Sequence, residues 1–95
     1  MFVITLRYTA GLDRIDEARQ AHTDWVDGQY DAGVFVASGA MVPREGGVIL
    51  ATGLERAELE ARLALDPFRQ QGLAEYTVVE FTPRRVAAGL ERLQA

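Results

Sequence analysis

The sequence predicts an α+β domain of ferredoxin-like type. Its elements run β-α-β-β-α-β, with a four-stranded antiparallel sheet, helices on one face and an extra C-terminal helix. Three observations carry this reading. Four short segments are rich in β-branched and aromatic residues, two amphipathic stretches lie between them, and glycine and proline punctuate every junction. At 95 residues the chain is a single domain, 1–95, with 1–83 as the core and 84–95 as the tail helix.

Met1 to Thr9 lacks a helix start signal and reads as the first strand. Gly11 breaks it. Asp13 is placed to cap the helix that follows, with Asp16 and Glu17 in its first turn. At 100° per residue, Ile15, Ala18, His22, Trp25, Val26 and Gln29 share one stripe, and Gly33 suits a left-handed helix terminator. Gly33 to Val42 and Val48 to Ala51 form a hairpin around Pro43-Arg44-Glu45-Gly46-Gly47, whose glycines suit a turn of positive φ. Thr52-Gly53-Leu54-Glu55 resembles a capping box for a second helix reaching about Leu65. On that helix Leu54, Ala57, Ala61, Ala64 and Phe68 share one side, where small alanines permit close approach to the sheet. Leu59 and Leu63 lie opposite and need another cover. Pro67 ends the helix, and Asp66 to Gly72 forms a short turn or a single helical turn. Tyr76 to Thr82 makes the fourth strand, and Pro83 opens a short helix bearing Val86, Leu90 and Leu93; that face is the natural partner of the leucine pair, and a subunit contact would cover it equally well.

Composition narrows the function. The chain has no cysteine, no lysine and one histidine, which excludes thiol chemistry, Schiff bases and multi-imidazole metal sites; no metal and no cofactor are expected. A net charge of -4 argues against nucleic acid as the partner. No apolar run approaches the ~20 residues of a membrane span, and the N-terminus lacks a basic n-region and cleavage site, so a cytoplasmic location is expected. Strands one, two and four carry apolar side chains on both sides, so a sheet with helices on only one face predicts a homodimer joined through its sheet faces.

Few residues are equipped for chemistry. His22, central in the first helix's stripe, is the natural general acid or base, though a buried imidazole bonded to a carbonyl would look the same. Arg19, one turn earlier, either borders a cleft or lays its stem over apolar surface. Asp66, before Pro67, sits at the negative end of the second helix, where a protonatable imidazole would offset the conflict. Otherwise it bonds local amides. Ser38 stands on a strand beside Gly39, where the missing side chain opens space for a ligand; it is placed to donate to a substrate, or simply to the backbone. No nucleophile-elbow motif surrounds it. Trp25, Tyr30 and Phe68 are candidates to wall an aromatic substrate, although Trp25 and Phe68 also fit plain core packing.

Arg19-x-x-His22, the strand with Ser38-Gly39, the hairpin with Gly46-Gly47, Asp66-Pro67-Phe68 followed by Gly72-Leu73, and the closing strand Tyr76–Phe81 together resemble the YCII-related domain family over roughly residues 1–83. The resemblance implies a dimeric α+β barrel and an active site built on a His-Asp pair, mapped to His22 and Asp66, with Ser38 lining the cleft. Relatives include an enzyme that removes chloride from a chlorinated hydroxyhydroquinone, and muconolactone isomerase belongs to the wider superfamily. Ala40 stands where the family often has proline.

The expectation is therefore a small-molecule enzyme performing elimination, isomerisation or lyase chemistry on a cyclic or phenolic compound. His22 and Asp66 would be catalytic, with Ser38, Arg19, Gly39 and Phe68 at the substrate. The competing expectation is a non-catalytic ligand-binding or dimerisation module. The two differ in whether His22 and Asp66 meet at a cleft.

Overall fold

A computed structural model describes residues 1–94. The elements are β1 (Phe2–Tyr8), α1 (Leu12–Asp31), β2 (Phe35–Ala40), β3 (Gly46–Ala51), α2 (Arg56–Leu63), α3 (Pro67–Gln70) and β4 (Ala74–Glu80), followed by a 3-10 turn over Glu91–Gln94. The strands form one antiparallel sheet in the order β2-β3-β1-β4. This is the ferredoxin-like α+β arrangement.

Strand alternation divides the sheet into two faces. Phe2, Ile4 and Leu6 of β1, with Ile49 and Ala51 of β3, turn toward the helices and are buried with Leu59 and Leu63. Trp25 and Val26 of α1 pack on the same cluster. A second cluster, Ile15, Ala18, Phe68 and Leu73, closes the end where α1 meets α3. Among the described residues no helix is long and apolar enough to cross a membrane.

A bulge in β2 directs side chains toward the site. Phe35 faces Ala51, Ala37 then faces Leu50, and the register shifts between them. With strict alternation Ala37 and Gly39 would share the face of Phe35. The extra residue instead turns Ser38, opposite Ile49, and Ala40, opposite Gly47, to the helix side.

Several local expectations change. Gly11, not Asp13, is the N-cap of α1, and Asp13 lies in its first turn. Gly33 ends α1 at φ 75° as expected. Gly46 and Gly47 belong to β3 rather than to the turn, and neither has positive φ. Gly46 is needed for proximity instead: a Cβ there would come within 1.8 Å of the Leu6 carbonyl oxygen. The capping box does not form, since Glu55 is the N-cap of α2 and makes no side-chain cap bond.

The facing of α2 is reversed. Leu59 and Leu63 point into the sheet core, whereas Ala57, Ala61 and Ala64 are exposed. Two leucines bury far more apolar area than three alanines, and that area decides the rotation. The leucine pair therefore needs no tail helix above it. The helix expected from Pro83 is present only as the 3-10 turn at Glu91–Gln94.

Candidate active site

Asp66 does not sit at the end of α2. It is the N-cap of α3, where its Oδ1 accepts the backbone N–H of Phe68 at 3.0 Å. Pro67 occupies the first position of that turn, where its lack of an amide hydrogen does no harm. An anion at a helix start meets the positive end of the backbone dipoles, so the electrostatic conflict expected from the sequence does not arise. The side chain is fully buried, and buried carboxylates require donors. Three converge on it. Besides the Phe68 amide, Tyr76 of β4 donates its hydroxyl to Oδ2, and His22 Nδ1 lies 2.7 Å from Oδ1.

These bonds fix the imidazole. A carboxylate already accepting from an amide and a phenol calls for a hydrogen on Nδ1, which leaves Nε2 with its lone pair in the neutral ring. Nε2 has no hydrogen-bond partner among the described residues. The ring lies flat on Phe68, with centroids 3.9 Å apart and planes 5° from parallel. Phe68 is in turn held edge-on by Tyr8 at 6.1 Å. The His22 side chain remains 18% exposed while Asp66 has no exposure, so the pair joins a sealed base to an accessible ring.

The opening is a cavity of about 220 Å³ between α1 and the β2–β3 end of the sheet. Of the residues singled out in the sequence, His22, Arg19, Ser38, Gly39 and Phe68 all contribute to its wall. Asp66 does not, because it lies beneath His22. Gly39 joins the wall through its backbone; the Cβ it lacks would stand on the other sheet face, with nothing within 4 Å. Ser38 Oγ lies 2.7 Å from Tyr30 Oη, so its partner is a side chain rather than the backbone. Trp25 packs edge-on against Phe35 and is no part of the wall.

Sequence reasoning passed over Tyr76 and Arg44. Tyr76 was legible only as a strand residue. Its signal is its parity: opposite Leu6, it faces the helices, and a buried tyrosine hydroxyl needs a partner. Burial, then the bond to Asp66, pushes its phenol well above the ordinary tyrosine range. Arg44, on the β2–β3 loop, lines the cavity and bonds Asp16 of α1 at 2.6 Å. That bond holds the Asp16 carboxyl below the usual range. Among the described residues no three His, Asp or Glu side chains gather as a metal site would require.

The sequence model of the YCII-related domain matches residues 1–82. No curated protein matches. Among solved structures the fold is similar to that of 5-chloro-2-hydroxyhydroquinone dehydrochlorinase (TftG) from Burkholderia phenoliruptrix AC1100, in complex with 2,5-dihydroxybenzoquinone. The TM-score is 0.71 at 15% identity, covering 85% of this chain and 93% of that one.

Proposed function

The chain belongs to the YCII-related domain family, and from that premise and the geometry of the site we propose that it is a small-molecule enzyme of the general acid/base kind. Its Nε2 takes a proton from, or returns one to, a cyclic or phenolic metabolite in an elimination, isomerisation or lyase step. The observation that carries the reading is the 2.7 Å bond between His22 Nδ1 and a fully buried Asp66, on a ring that borders a cavity.

Each neighbour has a role in this scheme. Asp66 sets the tautomer and balances the imidazolium that forms once Nε2 has taken a proton. Tyr76 holds Asp66 in place and acts as a positioning residue. Phe68, stacked on the ring, fixes its plane and offers an aromatic wall. Ser38 and Arg19 face the substrate, where they position an oxygen or stabilise negative charge, and the Gly39 backbone lies at the rim. The dehydrochlorinase of similar fold, with a quinone in its structure, supports an oxygenated single ring as the substrate class.

The test is a panel of phenolic and lactone compounds, screened first for binding and then for turnover. Proton transfer by a positioned side chain is worth about 10²–10⁴-fold in rate. His22→Ala should lower turnover by that order, abolish its pH dependence and leave binding and fold nearly intact. Compounds that bind both proteins equally, with no turnover in either, would instead support a non-catalytic binding module.

A homodimer belongs to the same proposal. The face opposite the helices presents Val3, Val48, Leu50 and Val79, the last 55% exposed, and Phe81 follows at 43%. Two such faces packed together would bury an apolar patch that single soluble domains rarely leave open. Leu50→Asp, at the centre of that face, should shift the protein from dimer to monomer in sedimentation velocity. A wild type that sediments as a monomer would rule the dimer out.

A further inference from the structure

The charge of the cavity wall runs against that of the protein. The chain carries fourteen acidic and ten basic residues, all ten of them arginine. Among the described residues that form the wall, however, no aspartate or glutamate occurs, while Arg19, Arg44 and His22 do. Asp66 is sealed below the imidazole, and Asp16 is bonded to Arg44 at 2.6 Å without joining the wall. Two guanidinium groups are therefore offset by one outlying carboxylate, and the hollow is positive within an acidic domain. A cleft lined by one sign of charge concentrates ligands of the other sign.

Geometry sharpens this. Arg19 precedes His22 by one turn on α1, and Arg44 approaches from the β2–β3 loop, which its bond to Asp16 ties to the same helix. The two arginines thus line one hollow from different elements. Between them and His22 the wall is apolar and aromatic, with Ile15, Val26, Tyr8 and Phe68. A volume of about 220 Å³ is below the ~300–1,000 Å³ of pockets for drug-sized ligands and suits a single ring.

We propose that the site takes a single-ring compound bearing a carboxylate, which Arg19 and Arg44 bind while the ring lies along the aromatic wall toward His22. The inference rests on the acid/base reading only for which part of the ring reacts. Arg44 is then a specificity residue, and the oxygen that Arg19 positions belongs to a group already charged before the reaction begins.

Calorimetric titration with four matched probes tests this: benzoate, 3-hydroxybenzoate and their two amides. Each acid should bind on the order of tenfold tighter than its amide, as expected for charge-assisted hydrogen bonds. Added salt should shrink the gap. Arg44→Gln and Arg19→Gln should each remove most of the preference, weakening the acids far more than the amides, and Arg44→Lys should restore part of it. His22→Gln should keep the preference, which separates anion binding from proton transfer. Acid and amide binding alike, a preference that survives both arginine substitutions, or 3-hydroxybenzamide binding as well as benzoate would each overturn the carboxylate assignment. None of those results bears on the loss of turnover in His22→Ala, which decides the acid/base reading separately.

Discussion

Two polar clusters lie under α1, two turns apart, and they are built differently. At His22, the buried Asp66 has a donor on each oxygen, and one ring nitrogen is left facing a cavity. At Gln29, the side chain accepts from Arg62 Nη1 of α2 at 3.0 Å and donates to the Trp25 carbonyl at 3.4 Å, and it takes no part in the wall of the cavity beside His22. Its neighbours Trp25 Nε1 and Arg62 Nε are buried without partners. The first cluster is saturated everywhere except at the atom that would do chemistry. The second tethers two helices and leaves donors open inside. Full pairing around one free ring nitrogen is what supports the acid/base reading of the first cluster and not of the second.

Substitutions can break this contrast. Asp66→Ala should have the largest effect. It leaves the Phe68 amide and the Tyr76 hydroxyl without an acceptor, at roughly 1–3 kcal/mol for each orphaned donor, and releases the imidazole. Urea unfolding should show a large stability loss, and turnover should fall with it. Asp66→Asn separates the two effects, keeping more stability while turnover still drops. If Asp66→Asn retains full turnover on a converted substrate, the two clusters do not differ in kind.

Tyr76→Phe comes next. Loss of the phenol should destabilise the fold by about 1–2 kcal/mol and weaken the hold on Asp66. It should lower kcat more than it raises KM, since Tyr76 has no place in the cavity wall.

The alkaline limb of stability gives a third comparison. Because the Tyr76 phenol is raised in the folded protein, the folded state keeps a proton that the unfolded chain releases near the ordinary tyrosine value. Its contribution is complete below about pH 10 and declines above it, by at most about 1.4 kcal/mol per pH unit. Unfolding midpoints measured across that range should fall more steeply for the wild type than for Tyr76→Phe. Parallel curves would refute the assignment.

The smallest effect belongs to the second cluster. Replacing both partners there, Gln29→Leu with Arg62→Met, removes buried polar groups in step and should change stability by less than about 1 kcal/mol, with turnover unaltered. A loss of activity would mean that the Gln29 cluster supports the site after all.

The same contrast explains what was legible in the sequence. The α1 stripe, including His22 and Gln29, follows from a 3.6-residue period and stands as expected; Ile15, Ala18 and Gln29 are all buried. Asp66-Pro67 marked both the end of the second helix and the single helical turn after it; what stayed hidden was that Asp66 caps that turn instead of closing α2. Tyr76 stayed hidden because strand alternation shows that a residue faces inward, not which distant carboxylate waits there. α2 shows the limit of wheel arguments. Its two stripes were both visible, and only their competition for the same sheet revealed that leucine wins over alanine.

Periodicity and turn residues sufficed for the order of the core strands and helices, the antiparallel sheet and the stripe bearing His22, since each follows from local spacing; the pairing of its imidazole with Asp66, 44 residues away, was implied only by the family resemblance. The bulge that swings Ser38 toward the helices, the third donor from Tyr76 and the two arginines meeting across one hollow came only from long-range packing. Those features depend on register between strands far apart in the chain, and a one-residue shift there reverses which side chains face the site.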